Sequence, residues 1–516
     1  MKVKNIEFSK QFTRALSLME SGRQSLFITG HAGTGKSTLL DHFRNTTKQN
    51  IVVLAPTGVA ALNVKGQTIH SFFGFRPGTT PESIKRNYRN SGKKGFYKVI
   101  DAIIIDEISM VRADLLDCVD EFLRLHGREP NQPFGGIRMI FIGDLYQLPP
   151  VVTNDERELF KTFYGSPYFF SAQVMDKMDL ELIELDKIYR QDDQNFIKVL
   201  DGIRRNDLNE TQLKLLNTRH LEGFEFNNDD LYLYLTTTNR KADEVNQNFL
   251  GKLSGKRYIF KGAKEGNFDK KVSPTGETLE LKIGAQVMMI NNDRAGRWVN
   301  GSIGKIEDII KLGPGKDIIV VELEDGQLVE VLPYTWEMFK FVYNPATDKL
   351  QADSVGSYTQ YPLILSWAIT IHKSQGKTFD KVVIDFGWGT FAHGQAYVAL
   401  SRCRTLDGMV LSKPFQKKHI LTDPQINLFF ENYSFSTKPW DLDSEQKLKI
   451  ITNALESGQL IKLKYYIEDE EPLKYLINPL KVTEKNIISA YCHILGEEVL
   501  LQLDSILEME LVEGIS

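Results

Sequence analysis

The chain has 516 residues, 42% of them hydrophobic and 25% charged, with a formal net charge of −4; this is ordinary for globular protein of about three to four domains. No apolar run approaches a membrane span, and Met1-Lys2-Val3-Lys4-Asn5-Ile6-Glu7 has neither signal-peptide nor transit-peptide character, which excludes membrane and secreted classes and predicts a cytoplasmic protein with no membrane partner. Residues 441–516 hold 15 carboxylates against 7 lysines and no arginine, a net of −8 that leaves +4 on the other 440; so mild a balance permits nucleic-acid binding without demanding it.

Residues 5 to 24 carry Phe8, Phe12, Ala15, Leu16 and Met19 at helical spacing, predicting an amphipathic helix. On it, the Gln11 amide offers the donor and acceptor that adenine's edge requires, although a solvated helix glutamine is an equally simple reading. Next comes the apolar run Ser25-Leu26-Phe27-Ile28-Thr29, then Gly30-His31-Ala32-Gly33-Thr34-Gly35-Lys36-Ser37, then Thr38-Leu39-Leu40. Strand, glycine loop and helix stand in the order of a nucleoside-triphosphate site. Backbone N–H groups of Gly30, Ala32, Gly33, Thr34, Gly35 and Thr38 can wrap phosphates, Lys36 supplies a point cation, and the Ser37 hydroxyl can ligate Mg²⁺. The expected ligands are therefore ATP and Mg²⁺.

A buried strand, Ile51 to Ala55, leads into Pro56-Thr57-Gly58-Val59-Ala60-Ala61 and Gly66-Gln67-Thr68-Ile69-His70-Ser71-Phe72-Phe73. Pro56, Thr57, Gly58, Thr68, His70 and Ser71 suit a phosphate backbone, and Phe72 or Phe73 can stack a base or fill core. Residues 74–98 lack apolar periodicity and carry Arg76, Lys85, Arg86, Arg89, Lys93, Lys94 and Lys98 with Tyr88 and Tyr97, either a small basic insertion or a solvated loop. The strand Ala102-Ile103-Ile104-Ile105 ends in Asp106 and Glu107, placing one carboxylate for Mg²⁺ and one to polarise water. After a helix, Ala113 to Leu125, the strand Arg138 to Ile142 runs into Gly143-Asp144-Leu145-Tyr146-Gln147-Leu148-Pro149-Pro150, where Gln147 can touch a γ-phosphate.

Together these segments resemble the first RecA-like domain of superfamily one helicases. Asp114-Leu115-Leu116-Asp117 through Phe134-Gly135-Gly136-Ile137-Arg138 is similar to the signature block of PIF-type 5′-to-3′ DNA helicases, and similar motifs run from about residue 8 to about 412. The resemblance implies an α/β fold of two RecA-like P-loop domains: 1–150 with the basic 74–98 insertion, and 151–435 with an SH3-like β-barrel inserted at 284–356. It implies that Arg190, in Leu185-Asp186-Lys187-Ile188-Tyr189-Arg190-Gln191, and Arg402, in Ala399-Leu400-Ser401-Arg402, reach the γ-phosphate, with Gly376 and Lys377 also at the nucleotide. Asn239, Thr370, His372, Lys373 and Ser374 join Pro56 to Phe72 on DNA. The implied activity is ATP-driven 5′-to-3′ movement on single-stranded DNA and its duplex junctions, G-quadruplexes or RNA–DNA hybrids, by a free monomer at the nucleoid, in repair, recombination, replication or telomere maintenance. RNA or ribonucleoprotein remodelling by the same superfamily is the alternative.

Lys438-Pro439-Trp440-Asp441 reads as a linker. Beyond it, at 445–516, a helix near Ser444 to Glu456 and strands with Ile461, Leu463 and Tyr465 alternating against Lys462 and Lys464 resemble a mostly-β WYL-type ligand-sensing domain. Asn486-Ile487-Ile488 stands where the name-giving tripeptide falls, and its partner is unspecified. Cys118, Cys403 and Cys492 fit no metal spacing or disulfide framework and read as structural thiols.

Overall fold

The computed structural model describes residues 9–21, 24–76, 78–87, 95–191, 193–268, 273–313, 317–344, 349–387, 389–436, 444–465, 473–483 and 487–511. Phe8, Tyr88, Arg89, Lys93, Lys94, the linker at 438–441 and Asn486 therefore lie outside the described residues. The chain divides into two compact units, Met1–Ile426 and Asn427–Ser516.

In the larger unit a parallel sheet is built from β1 (Ser25–Gly30), β2 (Ile51–Ala55), β3 (Gln67–Thr68), β4 (Ala102–Ile105), β5 (Arg138–Ile142) and β6 (Leu180–Leu185), in the order β3-β2-β4-β5-β1-β6. Its central strands are near-continuous Ile, Val, Leu and Phe because helices cover both faces. Helix α1 (Lys10–Ser21) buries Phe12, Ala15 and Met19, the i, i+3, i+7 stripe its sequence predicts. Helix α2 (Lys36–Thr46) follows β1 and buries Leu39, Leu40 and Phe43. The sheet does not stop at position 150, as the expected domain boundary had it. After a helix and two short turns the chain comes back, and β6 pairs in parallel with β1 along its whole length.

A second parallel sheet has Leu233–Thr236 at its centre, with Ala368–Thr370 on one side and Val382–Asp385 and Met409–Leu411 on the other. Its core includes Phe196, Val199, Leu200 and Ile203 from the helix Gln194–Arg204. Between Leu233–Thr236 and its neighbour Ala368–Thr370 the chain makes an excursion into antiparallel structure. That excursion is wider than the expected 284–356, since it takes in Tyr258–Lys261, Ala263–Gly266 and Thr278–Leu281 before it and Leu363–Leu365 after. The first two of these are four residues long and mostly exposed, and Thr278–Leu281, though Leu279 and Leu281 alternate into the core, is as short, so none gives a sequence reading a run long enough to find. Its largest sheet has five strands, ordered Leu328–Val331, Ile318–Leu323, Ile303–Ile310, Gln286–Met289 and Leu363–Leu365.

The smaller unit packs the helix Ser444–Ser457 with a five-stranded antiparallel sheet ordered Glu497–Gln502, Ile487–Cys492, Leu473–Val482, Ile461–Tyr465 and Ile506–Leu511. Ile461 and Leu463 are buried while Lys462 is exposed, the alternation read from the sequence.

Candidate active site

Three strand ends of the first sheet open on one cavity of about 850 Å³. β1 delivers the glycine loop, β4 delivers Asp106 and Glu107, and β5 delivers Gly143 and Gln147; Arg190, Gly376, Lys377 and Arg402 close it from the opposite side. Gly33 is where the loop requires glycine. It has φ +86°, and a Cβ there would lie 2.4 Å from the Cβ of Arg190, while the Tyr189 N–H donates to the Gly33 carbonyl at 2.9 Å. Loop and arginine segment are thus in backbone contact, which a side chain would break. Gly35 precedes α2 without a side-chain cap, so the first-turn N–H groups are left for an anion, as a triphosphate site needs.

Lys36 Nζ donates to the carbonyls of Gly30 (2.6 Å) and His31 (2.9 Å), and burial lowers its pKa. Glu107 sits at φ +52°, ψ 44°, a strained position for a carboxylate and typical of residues held for function. Its Oε2 accepts from Gln375 Nε2 at 3.0 Å, and the same amide donates to Gln147 Oε1 at 3.3 Å. Gln375 therefore links both carboxylate and sensor strands to the second sheet. Burial, joined by the neighbouring Glu107 charge, pushes Asp106 up to about 7; burial also raises Glu107, against the pull of Lys36 and Arg402. Arg402 is 1% exposed. Its Nε donates to the Val398 carbonyl (2.8 Å), Nη1 to that of Lys377 (3.1 Å) and Nη2 to Ser401 Oγ (2.8 Å). Burial and the adjacent Arg190 bring its pKa down to about 9, and burial beside Arg402 brings Lys377 to about 8. Arg190 reaches the carbonyls of Ser401 and Gly376, both at 3.4 Å.

Behind the loop lies a buried polar cluster that no motif announced. Arg204, 3% exposed, reaches Asp144 at 3.3 Å, His31 Nε2 at 3.1 Å and Glu184 at 3.4 Å, and stacks over Tyr146 at 4.4 Å. Burial alone would raise Asp144, but the charges of Arg204 and Lys36 outweigh it and hold the carboxyl below its ordinary value. The Ala32 N–H donates to the Tyr397 hydroxyl at 3.0 Å. Tyr397 belongs to the core of the second sheet and Arg204 ends the helix Gln194–Arg204 that packs into it, so the glycine loop is gripped from across the cleft.

The remaining expected contacts divide. Gln11 is half-buried and is not among the cavity residues; the next residue, Phe12, lines it instead, with Tyr189 and Arg404. Thr57 and Thr68 cap the helices Gly58–Asn63 and Ile69–Phe73. Pro56 and Gly58 are half-buried, while His70, Ser71, Asn239, His372 and Lys373 are exposed and remain candidate DNA contacts. Thr370 is 4% exposed, and Ser374 is fully buried with its hydroxyl on the Ile371 carbonyl at 2.7 Å, so the Ser374 side chain faces the interior rather than a ligand. Residues 371–376 form turns.

Phe72 also departs from its expected role. It is 3% exposed and packs edge-on against Phe73 at 4.8 Å, Tyr97 at 5.9 Å and Phe341 at 6.1 Å. Tyr97, read as part of a basic surface, is buried in the same aromatic cluster. Phe72→Ala should lower unfolding free energy by about 3–5 kcal/mol, the cost of an emptied aromatic site. Chemical denaturation checks this, and a variant of full stability with weakened single-strand binding would restore the stacking role.

A sequence profile described as PIF1-like helicase matches residues 6–214. The ATP-dependent DNA helicase Pif1 of Bdellovibrio bacteriovorus is 32% identical over 441 residues, 84% of this chain and 94% of that protein. Fungal and mammalian relatives named PIF1 are longer, and the chain spans about three fifths of each. A crystal structure of Bacteroides sp Pif1 in complex with ADP-AlF4 superposes with TM-score 0.76 at 35% identity, covering 83% of this chain and 98% of that one. The same Bacteroides protein bound to ssDNA gives 0.57 at 33% identity, covering 83% and 97%. The two parallel sheets are thus the paired RecA-like domains of this fold. Identity of that order sustained over nearly the whole of a relative is what common descent leaves, and the chain belongs to the PIF1-like helicase family.

Proposed function

We propose that this ATP-dependent DNA helicase moves 5′ to 3′ along single-stranded DNA and opens duplex at single-strand/duplex junctions. One observation carries the reading: Lys36, Asp106, Glu107 and Gln147 from one sheet face Arg402 from a segment packed with the other across a single cavity, and Arg190, which follows β6 of the first sheet, reaches over to the Ser401 and Gly376 carbonyls of the second half. A guanidinium aimed at the transferred phosphoryl is worth orders of magnitude in rate. When the two halves carry complementary parts of the catalyst, hydrolysis is tied to their closure. Each cycle of closing and opening can then advance a strand held on both halves.

In this reading Lys36 leaves its two loop carbonyls for the β- and γ-phosphates. Glu107, held by Gln375, orients and deprotonates the attacking water; its raised pKa suits a general base. The oxygen donors of Ser37 and Asp106 fit Mg²⁺, which keeps most of its water and phosphate ligands and needs few from protein; bound there, it would neutralise phosphate charge. His70, Ser71, Asn239, His372 and Lys373 would hold the phosphate backbone. The relatives are DNA helicases by name, and one is solved on single-stranded DNA, which supports DNA over RNA as the track and a place with intracellular DNA.

Strand separation decides the polarity. Purified protein with ATP and Mg²⁺ should unwind a duplex bearing a 5′ single-stranded DNA tail and leave its 3′-tailed and RNA-tailed counterparts closed, with quadruplex and RNA–DNA hybrid substrates run alongside. Unwinding from the 3′ tail would overturn the direction, and preference for the RNA tail would overturn the track.

A further inference from the structure

The cavity has a third wall, made by neither parallel sheet. Val299 and Asn300 line it, and both sit in the loop joining Gln286–Met289 to Ile303–Ile310 of the inserted antiparallel sheet. The base of that loop is fixed: Met288 and Ile303 pack into the core of the second parallel sheet, and Gln286 Nε2 donates to the carbonyls of Tyr232 and Ser366 at 3.0 and 2.9 Å. The loop itself is braced. Arg297 forks onto Asp293 with two 2.9 Å bonds, the Trp298 indole N–H donates to Asn291 Oδ1 at 3.1 Å, and the Asn300 N–H donates to Asn292 Oδ1 at 2.8 Å.

These bonds stiffen the tip while leaving two side-chain groups unspent. Val299 is 58% exposed at the cavity, and Asn300 Oδ1 is buried with no hydrogen-bond partner. A buried amide oxygen without a partner is costly and points to a ligand that satisfies it. Gly301, at φ +104°, lets the backbone press close to Lys377, where a Cβ would lie 3.3 Å from the lysine's own.

We propose that Val299 and Asn300 are a binding wall for the nucleoside half of ATP. This rests on reading the cavity as the ATP site. The phosphate half is already matched in charge by Lys36, Arg190 and Arg402, whereas an aliphatic side chain and a neutral amide offer a triphosphate nothing. They suit a sugar or base, one supplying apolar contact and the other hydrogen bonding to a hydroxyl or ring edge. Because the wall belongs to the inserted sheet, nucleotide occupancy is felt there as well as by the two RecA-like domains.

The test uses the full chain and DNA-stimulated ATP hydrolysis by wild type, Val299→Ser, Asn300→Ala and the double variant, with inorganic tripolyphosphate as a competing ligand that has no nucleoside. The double variant should raise the KM for ATP about tenfold, each single variant by a smaller factor, with kcat and the tripolyphosphate inhibition constant within about twofold of wild type. An unchanged KM in the double variant would overturn the assignment. So would a parallel rise in KM and in the tripolyphosphate constant, which would put the loop at the phosphates or in the general fold. Absence of ATP turnover in wild type would instead overturn the reading of the cavity, leaving the two failures distinguishable.

Discussion

Lys36→Ala should abolish ATP turnover, lowering DNA-stimulated kcat by at least about 10³-fold, while single-strand affinity stays within about twofold of wild type. The rate loss follows from where charge builds. In phosphoryl transfer the protein acts mainly by positioning and by stabilising charge on the transferred group, and removing one such preorganised donor costs about 10²–10³ in rate. Lys36 is also the cation that helps hold Asp106 and Glu107 toward their ionised forms against burial, so its removal weakens the base as well as the phosphate grip. Affinity for DNA is spared because the exposed candidate contacts, His70, Ser71, Asn239, His372 and Lys373, are absent from the cavity that Lys36 lines. The substitution also removes hydrogen bonds to Gly30 and His31, so a thermal melt belongs beside the phosphate-release assay and the fluorescence anisotropy. A folded variant with turnover intact would show that hydrolysis happens elsewhere.

What the sequence revealed of this site is the part written as contiguous motif. The strand-loop-helix around Lys36, the Asp106-Glu107 strand end and Gln147 could be placed because each function follows directly on an apolar run. Arg190 and Arg402 came from family resemblance, since no local pattern says that two arginines far from the P-loop in sequence will face it. Contacts made by tertiary approach stayed hidden. Gln375 sits between two residues that were chosen, yet only the folded chain shows its amide spanning Glu107 and Gln147. Arg204 looks like a charged residue at the end of an amphipathic helix and is instead buried against Asp144. The reverse error befell Phe72 and Ser374, which sit in segments expected on DNA but turn inward. Strand β6 and the outer strands of the inserted sheets were missed for another reason: they are edge strands or only three or four residues long, and only long buried strands print themselves as apolar runs.

The buried cluster behind the glycine loop gives the two domains something to close upon. Arg204 and Tyr397, from the second half, hold Asp144, His31 and the Ala32 N–H of the first. Breaking a buried ion pair costs several kcal/mol because a charge is left unpaired, so this contact resists separation of the two halves; on the γ-phosphate side the bonds that cross include those of the Gln375 amide to Glu107 and Gln147.

Arg402→Ala, which removes a guanidinium lining the cavity, should lower DNA-stimulated kcat by about 10³-fold or more, while ADP, which has no γ-phosphate, binds within about threefold of wild type. Arg402→Lys should fail to rescue the rate. The guanidinium makes three separate donations, to Val398, Lys377 and Ser401, which an ammonium on a flexible stem cannot reproduce. Charge counts against lysine too. Burial next to Arg190 already brings the guanidinium down to about 9, and an ammonium starting from a pKa of about 10.4 would be driven further toward neutrality at the same place. Steady-state hydrolysis with titration of a fluorescent ADP separates the two effects: lost turnover with retained ADP binding marks a group that acts on the transferred phosphate. If Arg402→Lys restored kcat to within tenfold of wild type, charge alone would suffice there and the fork geometry would not be what Arg402 contributes.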